Sequence, residues 1–103
     1  MVLFGSGSRN GCGEDMADEH DIAIGIEQIA RGNQGLCTFK RAYREIPNLV
    51  RLSAANLAPS ATRNGEPMWH QLVRNIKCHA DTPGNAIHAG RLIHVPKVGY
   101  RVP

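Results

Sequence analysis

Aromatic side chains are scarce in this chain: one Trp, two Tyr and two Phe among 103 residues. Each therefore has to serve as a core anchor or a surface contact, and the single tryptophan, Trp69, carries the most weight. Cysteine is equally sparse. Cys12, Cys37 and Cys78 leave one thiol over in any intramolecular pairing and show no C-x-x-C spacing, which argues against a disulfide framework and against a zinc ribbon. No stretch is apolar for the roughly 18 residues a membrane helix needs. The opening Met1-Val2-Leu3-Phe4-Gly5 lacks the charged flank and long apolar run of a secretion signal. These absences lead us to expect a cytoplasmic protein with no membrane contact, and the length fits one domain with one modest core.

Charge is present but unevenly spread. Residues 1–22 hold Arg9 against Glu14, Asp15, Asp18, Glu19 and Asp21, a balance of −4. Residues 23–103 hold eleven of the Lys and Arg side chains against Glu27, Glu45, Glu66 and Asp81, a balance of +7. A basic body behind an acidic leader suits a polyanionic or acidic partner.

Gly5 to Gly13 has too little apolar surface to offset the entropy of ordering it, so residues 1–17 read as a disordered leader and residues 18–103 as the folded domain. From Asp18 the pattern becomes helical: acidic residues suit a helix N-terminus, Ile22, Ile26, Ile29 and Ala30 recur at helical spacing, and Gly32-Asn33 stops the run. Gly25 within it costs about 1 kcal/mol relative to alanine, and close approach by another helix is a reason to keep it. Leu36-Cys37 reads as a short extended bridge. Thr38 then caps a helix with Phe39, Tyr43 and Ile46 on one side and Lys40, Arg41 and Arg44 on the other, and Pro47 is expected to end it.

Ser53 to Leu57 is a capped single turn, and residues 60–65 form a loop by composition. Residues 67–80 read as a helix with Pro67 in its first turn; Trp69, Leu72, Val73, Ile76 and Ala80 make its apolar face. Asp81 to Asn85 breaks the chain, and Ala86 to Gly90 allows a further helical turn closed by glycine. Within residues 91–102, Leu92 to Val95 and Tyr100 to Val102 have strand composition, and Pro96 to Gly99 supplies the turn of a β-hairpin. The expected fold is mainly α with a small C-terminal β-hairpin, the element order of a winged helix-turn-helix.

Trp69 with Val73 and Arg74, then Ala89-Gly90-Arg91-Leu92-Ile93, then Lys97-Val98-Gly99-Tyr100-Arg101-Val102, resembles winged-helix modules that accompany bacterial restriction-type endonucleases. The resemblance covers about residues 66–103. It implies double-stranded DNA as partner, helix 67–80 as recognition helix, hairpin 91–102 as wing, and a place in restriction-modification or phage defence. The family's cleavage chemistry is not implied, since no nuclease domain accompanies the matching stretch.

For such a partner, His70, Gln71, Arg74 and Lys77 are the candidate base readers, because arginine and glutamine can hydrogen-bond base edges bidentately. Lys97 and Arg101 on the wing and Arg63 before the helix are the candidate phosphate contacts. The rival reading is a protein-binding adaptor or inhibitor on the same scaffold, such as a phage or mobile-element protein acting on a bacterial defence or nuclease complex. Neither catalysis nor metal is expected. His70, Cys78, His79, His88 and His94 follow no ligand spacing, Cys37 and Cys78 lack a paired base, and the carboxylates Glu27, Glu45 and Glu66 fall in different elements. No cofactor is implied.

Overall fold

A computed structural model describes residues 16–61, 63 and 65–103 of the chain. Asp18 starts the first helix, α1 (Glu19–Arg31), through a reciprocal cap: its carboxylate accepts from the Asp21 N–H and Asp21 accepts from the Asp18 N–H. Then follow β1 (Leu36–Thr38), α2 (Phe39–Leu49), the single turn α3 (Ala54–Leu57), α4 (Trp69–Cys78), β2 (Ile93–Val95) and β3 (Gly99–Arg101). The result is a set of helices with a small three-stranded antiparallel sheet in the order β1-β3-β2. No helix among the described residues is long and apolar enough to cross a membrane.

The first fifteen residues of the expected leader lie outside the described residues. Of the remaining two, Met16 is exposed, whereas Ala17 is buried with its N–H and carbonyl both bonded to the side chain of Asn56. Asn56 in turn closes the cap of α3 with Ser53. One buried amide thus joins the start of α1 to the turn after α2.

Four sequence expectations need correcting. Leu36 and Cys37 do more than bridge: with Thr38 they form a strand paired to β3, Cys37 opposite Tyr100 and Thr38 opposite Gly99, so the sheet extends beyond a hairpin. Pro47 does not end its helix, which runs on to Leu49. Proline deprives the Tyr43 carbonyl of a partner, but Val50 still donates to Ile46 (2.9 Å), and Ile46 is fully buried, so packing of the last turn outweighs the lost bond. Pro67 lies outside its helix because it bridges Pro59, with Ser60 donating to Glu66 (2.8 Å) and Met68 to Ala58 (2.8 Å). The helix expected over 67–80 is therefore the shorter α4, and the segment after it is a series of turns with Gly90 at φ +82°.

The core follows the helical spacing in part: Phe39, Tyr43 and Leu72 are only partly buried, and Ala80 lies beyond the end of α4. Ile22, Ile26 and Ile29 of α1 meet Ile46 of α2, Trp69, Val73 and Ile76 of α4, and Cys37, Leu92 and Tyr100 from the sheet and its flank. Gly25 is the contact point of α1 with α2: a Cβ there would lie 2.7 Å from Ile46 Cδ1 and 3.0 Å from Val50 Cγ2. Gly99 is more constrained still, since a Cβ there would overlap the Cys37 carbonyl oxygen and sit 2.7 Å from Thr38 Cα. Tyr100, next in β3, donates its hydroxyl to the Val73 carbonyl (2.6 Å) and accepts from the Lys77 N–H (3.2 Å). A buried carboxylate, Glu27, pairs with Arg91 before β2 (3.0 Å) and with Arg31 one turn on (3.5 Å).

Two stability outcomes follow from these contacts. Gly25→Ala should fail to deliver the about 1 kcal/mol that alanine normally adds to a helix and should lower the thermal midpoint, because Ile46 and Val50 must give way; a raised midpoint by circular dichroism would remove the close approach as the reason for glycine. Tyr100→Phe should cost about 1–3 kcal/mol in urea unfolding, the range for leaving a buried polar group without its partner; an unchanged midpoint would show that the hydroxyl is not needed.

Candidate nucleic-acid interface

The outward side of α4 follows from its core face. With Trp69, Val73 and Ile76 buried, the 100° step per residue turns Gln71, Arg74 and Cys78 away from the core and places His70 and Lys77 on the flank toward α2. Contacts agree with that geometry. His70 stacks on Tyr43 of α2 at 4.2 Å between centroids, with Trp69 edge-on to it, and Lys77 Nζ lies 5.4 Å over the ring of Phe39.

The four candidate readers are thus in different situations. Arg74 is only 16% exposed and pairs with Glu66 at 3.0 Å, outside hydrogen-bond alignment with the buried Glu66 Oε1. Its other guanidinium nitrogen donates to Gln71 Oε1 (3.1 Å), and Gln71 donates to Asn75 Oδ1 (2.8 Å). These three side chains form a chain of mutual contacts along α4. His70 is half-buried. Burial pushes its pKa below the ordinary value, with a smaller upward pull from Glu66 and a downward push from Arg74. Lys77 enters no ion pair among the described residues.

The hairpin tip is tied to the start of α2. Val98 accepts from the Phe39 N–H (2.9 Å), which places Lys97, at φ +66°, beside the first turn of α2. Lys40 is exposed in that same turn. Lys40 follows Phe39 in α2, Lys77 lies over its ring from α4, and Lys97 precedes the residue whose carbonyl accepts from the Phe39 N–H; none of the three has an ion-pair partner among the described residues. His94 completes the floor: its ring lies 6.4 Å from Phe39 and 5.8 Å from Tyr100, and burial followed by the charge of Lys77 lowers its pKa.

Two of the expected phosphate contacts stand apart from this cluster. Arg101 follows Tyr100 in the central strand, so as Tyr100 faces α4 its neighbour points to the opposite side of the sheet. Arg63 lies in the loop before α4, where its N–H is held by Ser60 Oγ at 3.2 Å, beside Glu66 rather than beside the hairpin. Lys40 is legible in sequence only as part of a basic helix face; its place beside the hairpin turn depends on the pairing of β1 with β3 and the long-range bond between Phe39 and Val98.

The other candidate chemistry is separately housed. Cys37 is fully buried, and burial, reinforced by Glu45 and opposed by Arg41, pushes its thiol up to about 11. Cys78 is exposed, and no group of three or more metal-binding side chains occurs among the described residues. His79 Nδ1 sits 2.7 Å from Glu19 Oε1, while Asn85 donates to Glu19 (3.1 Å) and to the Ile76 carbonyl (2.9 Å). This clasp fixes the end of α4 against the start of α1.

His70 offers a direct check on the Tyr43 stack. A histidine whose folded pKa is depressed takes up its proton later than in the unfolded chain. Its burial therefore favours folding above about pH 6.5, and that contribution is lost as pH falls below the unfolded value. Tyr43→Ala should raise the His70 titration midpoint measured by NMR of its ring protons; an unmoved midpoint would mean that the stack does not bury the ring. Compared with known proteins, no family model, no curated protein and no solved structure matches this chain.

Proposed function

We propose that this chain is a winged-helix module that binds double-stranded DNA, with α4 as recognition helix and the β2–β3 hairpin as wing. The element order α1-β1-α2-α3-α4-β2-β3, in which α3 is a single turn and β1 completes the sheet beside the hairpin, supports that reading. The observation that carries it is that Lys77 of α4 lies over Phe39, the neighbour of Lys40 in α2, while the turn that holds Lys97 is bonded to the Phe39 N–H. Three ammonium groups without an ion-pair partner among the described residues, from α2, α4 and the wing, suit a phosphate backbone, which rewards distributed positive charge more than any single contact.

On this reading Lys77, Lys40 and Lys97 bind phosphates, while the Gln71–Arg74 chain is the part of α4 left for base edges. Glu66 holds Arg74 back, so base readout by its guanidinium requires that pair to open. No catalytic step is assigned: the reading is a binding module and not an enzyme.

A second reading, a protein-binding adaptor or inhibitor acting on a bacterial defence or nuclease complex, is favoured by a different observation. Leu57 and Met68 are 56% and 43% exposed, and Met68 is tied to the residue after Leu57 by its bond to Ala58. Two large apolar side chains beside the N-terminus of α4 suit a protein surface better than a phosphate.

Fluorescence anisotropy with a mixed-sequence duplex tests the first reading. Three phosphate contacts should give a slope of log K against log salt of about −2.7, and each of Lys40→Ala, Lys77→Ala and Lys97→Ala should flatten it by about 0.9. Glu66→Gln should raise affinity by removing a negative charge and releasing Arg74. No binding at low salt, or slopes indifferent to the three lysines, would sink the assignment.

A further inference from the structure

The molecule carries a second surface that the nucleic-acid reading leaves unused. Met16, Ile24 and Leu49, at 58%, 39% and 48% exposure, account for three of the large exposed apolar side chains among the described residues, and all three line one groove. The groove runs between the outer face of α1 and the end of α2, with Val50 in its floor. No residue of α4 or of the hairpin contributes to it. A partner bound here leaves the lysine cluster open.

The lips of the groove carry opposite charges. Asp21 stands on the α1 side and Arg51 on the α2 side. One Asp21 oxygen accepts from the Asp18 N–H (3.1 Å); neither charge has an ionic partner among the described residues. An apolar floor between an acid and a base, neither of them ion-paired among the described residues, is self-complementary. In a two-fold dimer every contact occurs twice with the roles exchanged, so Asp21 of each copy faces Arg51 of the other while Ile24 enters the opposing groove. An unrelated partner would have to supply both charges and the apolar ridge, whereas a second copy already has all of them.

We propose that this groove is the interface through which two copies of the chain associate, sealed by reciprocal Asp21–Arg51 pairs around Ile24 and Leu49. The dimer carries two lysine clusters. It stands whether the ligand of those clusters is DNA or protein, because none of its residues belongs to them.

Sedimentation velocity of the full chain over a concentration series tests the proposal. The wild type should move from 11.2 kDa toward twice that mass as concentration rises. Ile24→Glu should remain at the monomer mass with an unchanged circular-dichroism spectrum, since the side chain is already part-exposed. Asp21→Lys alone and Arg51→Glu alone should each be monomeric, because each homodimer then opposes like charges. Mixed in equal amounts, they should restore the dimer mass, since both contacts between the unlike copies again pair opposite charges. A wild type that stays monomeric at every concentration overturns the proposal, whatever else occupies the groove. So does a dimer untouched by Ile24→Glu, or a mixture of the two charge variants that remains monomeric. Where Asp21→Lys weakens the α1 cap enough to unfold the chain, Ile24→Glu and Arg51→Glu against wild type decide the matter.

Discussion

The hydroxyl of Tyr100 fixes the relation between the sheet and α4, and the arrangement of the candidate interface depends on it. It bonds the Val73 carbonyl and the Lys77 N–H, two groups one helical step of four apart. Burial raises the phenol pKa, so the hydroxyl stays protonated and can donate. A strand pinned in this way carries its hairpin with it. Lys97 then comes to lie beside α2, and Lys77 is held where its ammonium reaches over Phe39. The same strand needs glycine at position 99, because β1 passes too close for any side chain. Tight backbone approach on one side and a buried hydroxyl on the other leave β3 little freedom.

The two faces of α4 differ in what they contact. Trp69, Val73 and Ile76 are spent on the core. The polar residues that remain are largely engaged with one another: Arg74 with Glu66 and Gln71, and Gln71 with Asn75. A side chain already paired gives up a contact when it turns to a ligand, whereas an unpaired lysine gives up only hydration. On the proposed DNA-binding reading, the lysines of three elements supply affinity and the paired residues of α4 supply selectivity. The groove between α1 and the end of α2 shares no residue with either set.

Much of the fold was legible in the residues themselves. The cap at Asp18, the isoleucine stripe of α1, the turn capped by Ser53 and the Pro96–Gly99 hairpin turn depend on neighbours within a few positions, and local chemistry specifies them. The errors share a cause in distant contacts. Pro47 stays helical because Ile46 and Val50 pack against α1; Pro67 leaves its helix because it bridges Pro59; and Leu36 to Thr38 becomes a strand because β3 offers an edge.

For the site, sequence alone determined which residues could bind an anion and that α4 would have one apolar face, since side-chain chemistry and helical period need no partner. The fold decided which of those residues meet. It laid Lys77 over Phe39 and the turn of Lys97 beside the start of α2, turned Arg101 to the opposite side of the sheet, and bound Arg74 to Glu66. The physical reason is that the pairing of β1 with β3, continued by the bond from Phe39 to Val98, spans more than half the chain and sets the distance between a helix and a turn whose local sequences contain no record of each other.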